Sequence, residues 1–136
     1  MMSRKIAGAL AVMAVLGTSG AAVARDRLSP EQRLEKRIGD RVAGEPVDCI
    51  YLPTVRSSTI YDKTAIVYES GSTLYVNRPE NGASSLDDSD ILVTRPHGSQ
   101  LCSIDTVQLR DRSSHFYTGS VFLGKFVPYR KVAARD

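Results

Sequence analysis

Three regimes of apolar spacing divide the chain. Residues 6–16 form an apolar stretch, Leu34, Ile38 and Val42 recur every fourth residue, and from Val47 onward the period falls to two. The middle regime predicts a short amphipathic helix over 30–41, with Arg33, Lys36, Arg37 and Asp40 on its wet face. Ser29 is a suitable N-cap. Pro30 stands at the first helical position, where its missing N–H costs nothing, and Gln32 sits where a capping box needs it. Gly44 and Pro46 are expected to stop the helix.

The period-two region predicts short strands over 47–52, 57–61, 64–69, 73–78, 91–95, 101–109 and 121–129, with a brief segment at 115–117. In 64–69, Ile66 and Tyr68 face one way and Ala65 and Val67 the other. Ser70-Gly71-Ser72 then turns the chain into 73–78, the clearest local hairpin. Residues 78–85 carry turn signals without apolar periodicity and read as an exposed loop. In 101–109, Leu101, Val107 and Leu109 share a side with Asp105, while Cys102 and Ile104 take the other. Gly124 inside the last strand reads as a bulge or a barrel corner. Six or seven short strands after one helix, with no βαβ unit, place the chain in the all-β class. The expected architecture is a small curled antiparallel sheet or barrel with one short N-terminal helix, because curling hides sheet edges. A sandwich is the second reading.

Length limits this further: 136 residues, 42% hydrophobic and 24% charged, make one folded domain with a modest core. Arg4 and Lys5, the apolar stretch and Ala22-Val23-Ala24 have the order of a cleavable export signal. The expected organisation is a signal peptide at 1–24, helix and linker at 25–46, and a single β-rich domain at 47–132, in the periplasm or secreted. No downstream segment is apolar for long enough to cross a bilayer after processing. Losing Arg4 and Lys5 takes the formal net charge from +3 to +1, which argues against a nucleic-acid partner. The expected partner is an envelope protein or a small ligand, and the expected state a monomer or weak dimer.

Candidate chemistry is sparse. Cys49 and Cys102 are the only cysteines. In an exported chain they are expected to pair, closing a loop of about 53 residues; the alternatives are a reactive thiol or half of a metal site. Asp87, Asp88 and Asp90 lack the spacing and closing glutamate of a calcium loop. His97 and His115 are the only imidazoles and show no ligand spacing, so no metal site and no cofactor are assigned. Asp105 with either histidine supplies the elements of a small hydrolase, without a nucleophile motif to complete it. Arg56, Tyr61, Tyr68, Tyr75, Asn77, Arg78 and Arg95 make the candidate binding patch, since tyrosine and arginine lose little conformational freedom for the contact they gain.

Tyr75-Val76-Asn77-Arg78-Pro79, Gly98-Ser99-Gln100-Leu101-Cys102 and Leu123-Gly124-Lys125-Phe126-Val127-Pro128 carry a resemblance, extended by Cys49-Ile50-Tyr51-Leu52 and by Asp62 before Ala65-Ile66-Val67-Tyr68. Over roughly residues 47–129 the chain resembles a family of small exported proteobacterial proteins defined as a domain of unknown function. The resemblance implies export and a cysteine pair, and brings no catalytic residue. Many relatives carry two further cysteines, in regions matching 80–85 and 119–122, where this chain has none. Their joint absence is what pairing between those two implies, leaving Cys49 and Cys102 as partners. The expectation for function is a non-enzymatic envelope binding or interaction module. A structural or stress-related protein without a specific ligand, and a small hydrolase, are the alternatives.

Overall fold

The computed structural model describes residues 27–132, together with Gly17. The expected signal peptide, Gly17 apart, lies outside the described residues. Helix α1 spans Pro30–Ile38 and begins as its sequence requires. The Ser29 hydroxyl accepts the Gln32 N–H at 3.2 Å, and the Gln32 side chain accepts the Ser29 N–H at 2.9 Å. It ends earlier than expected, at Gly39, whose φ of +60° is a left-handed conformation that glycine adopts without a Cβ penalty. The released chain at Val42–Ala43 becomes a short strand, β1, instead of a last helical turn.

Nine further strands follow: β2 (Cys49–Tyr51), β3 (Val55–Tyr61), β4 (Ala65–Ser70), β5 (Thr73–Asn77), β6 (Asp90–Thr94), β7 (Gln100–Cys102), β8 (Thr106–Asp111), β9 (Tyr117–Phe122) and β10 (Phe126–Arg130). All pairings between them are antiparallel. They form a five-stranded sheet in the order β1-β10-β5-β4-β3, a three-stranded sheet β6-β8-β9 and a two-stranded ribbon β2-β7. The expected hairpin of β4 and β5 is present, with Tyr68 opposite Tyr75 and Val67 opposite Val76.

The expectation of a curled sheet or barrel is corrected: both larger sheets are open, each ending in two edge strands that do not join each other. Layering hides the apolar surface instead. Alternation sends Ile60, Ile66, Tyr68 and Phe126 to one face of the five-stranded sheet, against Val107, Leu109 and Val121 of the three-stranded sheet and Ile50 and Leu101 of the ribbon. It sends Tyr61, Ala65, Val67, Leu74 and Val76 to the other face, where Leu34 of α1 packs fully buried. With both faces covered, the sheet has no need to close on itself.

The expected strand over 101–109 is two strands, β7 and β8. Asp105 divides them by folding back on its own chain. Its carboxylate accepts the Cys102 N–H at 2.7 Å and its own N–H donates to the Cys102 carbonyl at 2.9 Å. Asp105 therefore lies in a turn, off the apolar side, and Ile104 is 90% exposed beside it. The expected strand over 121–129 is likewise broken, at Leu123-Gly124-Lys125 between β9 and β10. Gly124 marks that break. A Cβ there would run into the Arg78 carbonyl, so only glycine lets the two segments approach.

Candidate functional site

Sheet edges are where this fold leaves backbone groups unspent. Of the four edge strands of the two larger sheets, β1 is only two residues long. The outer side of β9 is covered: the Glu80 N–H donates to the Phe122 carbonyl at 3.0 Å and the Phe122 N–H to the Asn81 carbonyl at 2.9 Å. Ser85 sits against Gly119 of the same strand. The remaining two edges are open. Among the described residues, β3 pairs only with β4 and β6 only with β8. Seven-residue β3 presents Arg56, Ser57, Ser58 and Thr59 to solvent, its regular pairing with β4 running from Ser57 to Tyr61 after a register irregularity at Arg56.

These two open edges flank one cleft. One part, a cavity of about 360 Å³, is lined by Ser58, Thr59 and Ile60 of β3 and by Asp90, Ile91 and Leu92 of β6, with Asp88 and Arg112 at its end. The adjoining part, about 280 Å³, lies among Leu52, Val55, Ser58, Leu92, Thr94 and Tyr68, with Arg56 also on its lining. Ser58 and Leu92 belong to both. Apart from Asp88, Asp90, Arg112 and Arg56 the lining is apolar or hydroxylic. Arg56 donates to the Gly71 carbonyl at 2.9 Å and lies 3.5 Å from Glu69, so much of its charge is already matched. Asp90 is buried and accepts the Thr118 hydroxyl at 2.6 Å.

Tyr68 is the unusual member. It is only 4% exposed, its ring meets Phe126 edge-on at 5.8 Å, and its hydroxyl has no hydrogen-bond partner among the described residues. Burial pushes the phenol's pKa well above the usual tyrosine range, so the group is a neutral donor at any ordinary pH.

The structure brings Arg56 and Tyr68 of the sequence-derived patch to one cleft, sets Tyr75 opposite Tyr68 on the neighbouring strand, and places the other members elsewhere. Tyr61 lies buried in the cluster under α1. Tyr75 is half-buried and packs toward the three-stranded sheet. Asn77 is fully buried: its side-chain amide donates to the Gly124 carbonyl at 2.7 Å and its carbonyl accepts the Gly124 N–H at 3.0 Å. Arg78 is exposed and clasps Glu31 of α1 through two bonds, at 2.6 and 3.1 Å. Arg95 stands exposed just beyond β6. The cysteines do pair: Cys49 and Cys102 face each other across β2 and β7 in a disulfide.

His97 and His115 are both exposed, and among the described residues neither imidazole has a hydrogen bond or an ion pair with a carboxylate. Asp105 spends one carboxylate oxygen on its own turn. The acidic loop gathers differently from the linear reading. Asp62, Asp87 and Asp88 bring oxygens within 4.8 Å of one another, with Asp90 turned elsewhere. Asp62 accepts the Asp88 N–H at 2.6 Å and Asp87 accepts the Ser89 N–H at 2.8 Å, so these carboxylates close the loop.

Sequence reasoning passed over Leu52, Val55, Ser58, Leu92 and Thr94. The available signal was the run Ser57-Ser58-Thr59, polar on both faces, which fits a strand with little packed against it. Fold and cleft together define a helix-covered, disulfide-linked antiparallel β protein with two open edges on one groove. Comparison with protein-family models, with curated proteins and with solved structures finds no match to this chain. Among the described residues no helix is long and apolar enough to cross a membrane.

Proposed function

We propose that this protein is an exported envelope interaction module that binds an extended peptide segment of another protein, without catalysis, by adding it as a strand to β3. The observation that carries the reading is that the two open edges, β3 and β6, face the same cleft. An extended segment laid there satisfies the free backbone groups of β3, which supply affinity irrespective of sequence, while its alternate side chains enter the cleft. The mostly uncharged lining favours a neutral segment over an acidic or basic one. Export is supported by the order of residues 1–24, and by a disulfide that persists in an oxidising compartment.

Kinship with the small exported family is part of the same proposal. The residues that carry the resemblance have a packing explanation here. Asn77 holds Gly124, Phe126 lies opposite Asn77, Pro128 lies opposite Tyr75, and Cys102 is tied to Cys49. That pattern would mark a common scaffold, with partner choice left to the cleft.

The test is site-specific photo-crosslinking in the native envelope, with a photoactivatable side chain at Thr59 on β3 or, as a control, at Lys36 on the exposed face of α1. Adducts at Thr59 that map to one extended segment of one partner, absent at Lys36, are expected. Equal adducts at both positions, adducts only to a second copy of this chain, or none at Thr59 would refute strand addition. Intact-mass measurement of the envelope form is expected to show Arg25 as the first residue.

A further inference from the structure

We infer that the bound segment fills a window between β3 and β6 and pairs with both edges at once, antiparallel to β3 and parallel to β6, so that one incoming strand ties the two larger sheets together. The inference rests on the strand-addition reading and deepens it.

The two edges run side by side in opposite directions. In one part of the cleft Ile60 and Ser58 lie with Asp90 and Leu92, and in the other Ser58 and Val55 lie with Leu92 and Thr94. Positions therefore climb along β6 as they descend along β3. Hydrogen bonds close the seam at either end. Beyond Tyr61, the Lys63 N–H donates to the Leu86 carbonyl at 3.0 Å and the Asp88 N–H to the Asp62 carboxylate at 2.6 Å. Ahead of Val55, the Leu52 N–H donates to the Ser99 carbonyl at 2.9 Å. Between these ties the edges do not bond to each other: among the described residues the backbone of 57–60 pairs only with β4 and that of 91–94 only with β8.

A window with backbone groups on both sides selects an extended strand. Successive residues of a strand turn their N–H and C=O groups to alternate sides, so a segment on a single edge leaves half of them unspent, whereas one between two edges spends them all. The edge of a folded domain, a second copy of this chain included, brings free groups on one side only. Five-residue β6 is about 17 Å long, which sets the paired length at about five residues. The two parts of the cleft, about 360 and 280 Å³, together fall in the ordinary range for a bound ligand, about 300–1,000 Å³. Because β3 and β6 oppose each other, the segment is antiparallel to one and parallel to the other. Antiparallel pairing is the slightly more stable, and it falls to β3, whose residues 56–59 are exposed. The N-terminal end of the segment then lies toward Tyr61 and Asp90.

The probe is the synthetic peptide acetyl-Thr-Val-Thr-Val-Thr-amide, together with three versions N-methylated singly at the second, third or fourth residue. Each methyl removes one N–H donor. Binding to the disulfide-intact protein purified from its export compartment is followed by NMR titration, and hydrogen exchange is read at the backbone amides of β3 and β6. All three N-methylated peptides are expected to bind at least about fivefold more weakly than the parent, and the parent to slow exchange at both edges. A strand on β3 alone predicts alternation instead, with neighbouring N-methyl positions differing in effect. That alternation, or slowed exchange confined to β3, overturns the two-edge window and leaves strand addition standing. Slowed exchange confined to β6, or at neither edge, refutes strand addition to β3 and the window with it.

Discussion

Asn77 looks on paper like a binding residue, and its environment makes it a fastener. Its amide joins the end of β5 to the backbone of Gly124 through both a donor and an acceptor, without any exposure to water. Removing it strands a buried N–H and a buried C=O together. Asn77→Ala is therefore expected to destabilise the protein by roughly 2–4 kcal/mol in urea unfolding. Neighbouring Arg78 behaves differently. Its pair with Glu31 is about half exposed on both sides, so Arg78→Ala is expected to cost no more than about 1 kcal/mol. Two adjacent residues of one motif thus separate by burial alone, and the same unfolding series measures both.

Helix α1 has a start written in its sequence and an end that only the fold explains. Ser29, Pro30 and Gln32 fix the first turn locally, with no help from the rest of the chain. Nine residues are too few for an isolated helix to persist in water, so its stability comes from docking. Leu34, fully buried against Tyr61, Ala65, Val67 and Leu74, is the anchor. Leu34→Ala is expected to lower stability by about 2–5 kcal/mol and to expose the helix amides to fast hydrogen exchange. Protection retained throughout α1 in that variant would show that the Arg78–Glu31 and Arg37–Glu69 pairs hold the helix instead. The strands divide in the same way. β4 reads as a strand from sequence because Ala65 to Tyr68 is an unbroken apolar run with β-branched members, suited to a centre buried on both faces. The break between β7 and β8 does not read, because Asp105 acts through hydrogen bonds to Cys102 that leave the apolar spacing intact.

Across the molecule as a whole, the disulfide ties β2 to β7 over a sequence separation of 53. Replacing both cysteines by alanine is expected to lower stability by about 2–5 kcal/mol, read from the extrapolated free energy of urea unfolding, with a steeper slope because the unlinked unfolded chain exposes more surface. Stability should also have an acid limb and an alkaline limb. Arg78 holds the Glu31 carboxyl below its usual 4.5, Ser57 with Arg37 and Arg56 does the same for Glu69, and local serines lower Asp87 and Asp111 from 3.8. Groups depressed on folding contribute stability that is complete above their unfolded values and is lost as pH falls through the folded ones. Tyr61 and Tyr68 are raised by burial, so their contribution is complete below pH 10 and is lost as pH rises beyond it. Melting temperatures measured across pH are expected to be level from about pH 5 to 9 and to fall on both sides.

What was legible in the chain was local or pairwise. The cap at Ser29, the β4–β5 hairpin around Gly71 and the cysteine pair all rest on residues whose conformational or chemical options are few. The closure of the sheets was not legible, because a period of two states which residues face inward and not what lies opposite them. Only the tertiary structure decided that α1 covers one face and the smaller sheet the other, leaving β3 and β6 open where a barrel would have joined its edges. The cleft followed from that choice. Tyr68 and Arg56 were visible as tyrosine and arginine, but Leu92 and Thr94 stand more than thirty positions from Val55 and Ser58. Their meeting depends on how two separately twisted sheets stack, and that is set by the summed packing of the core between them, which no short segment encodes.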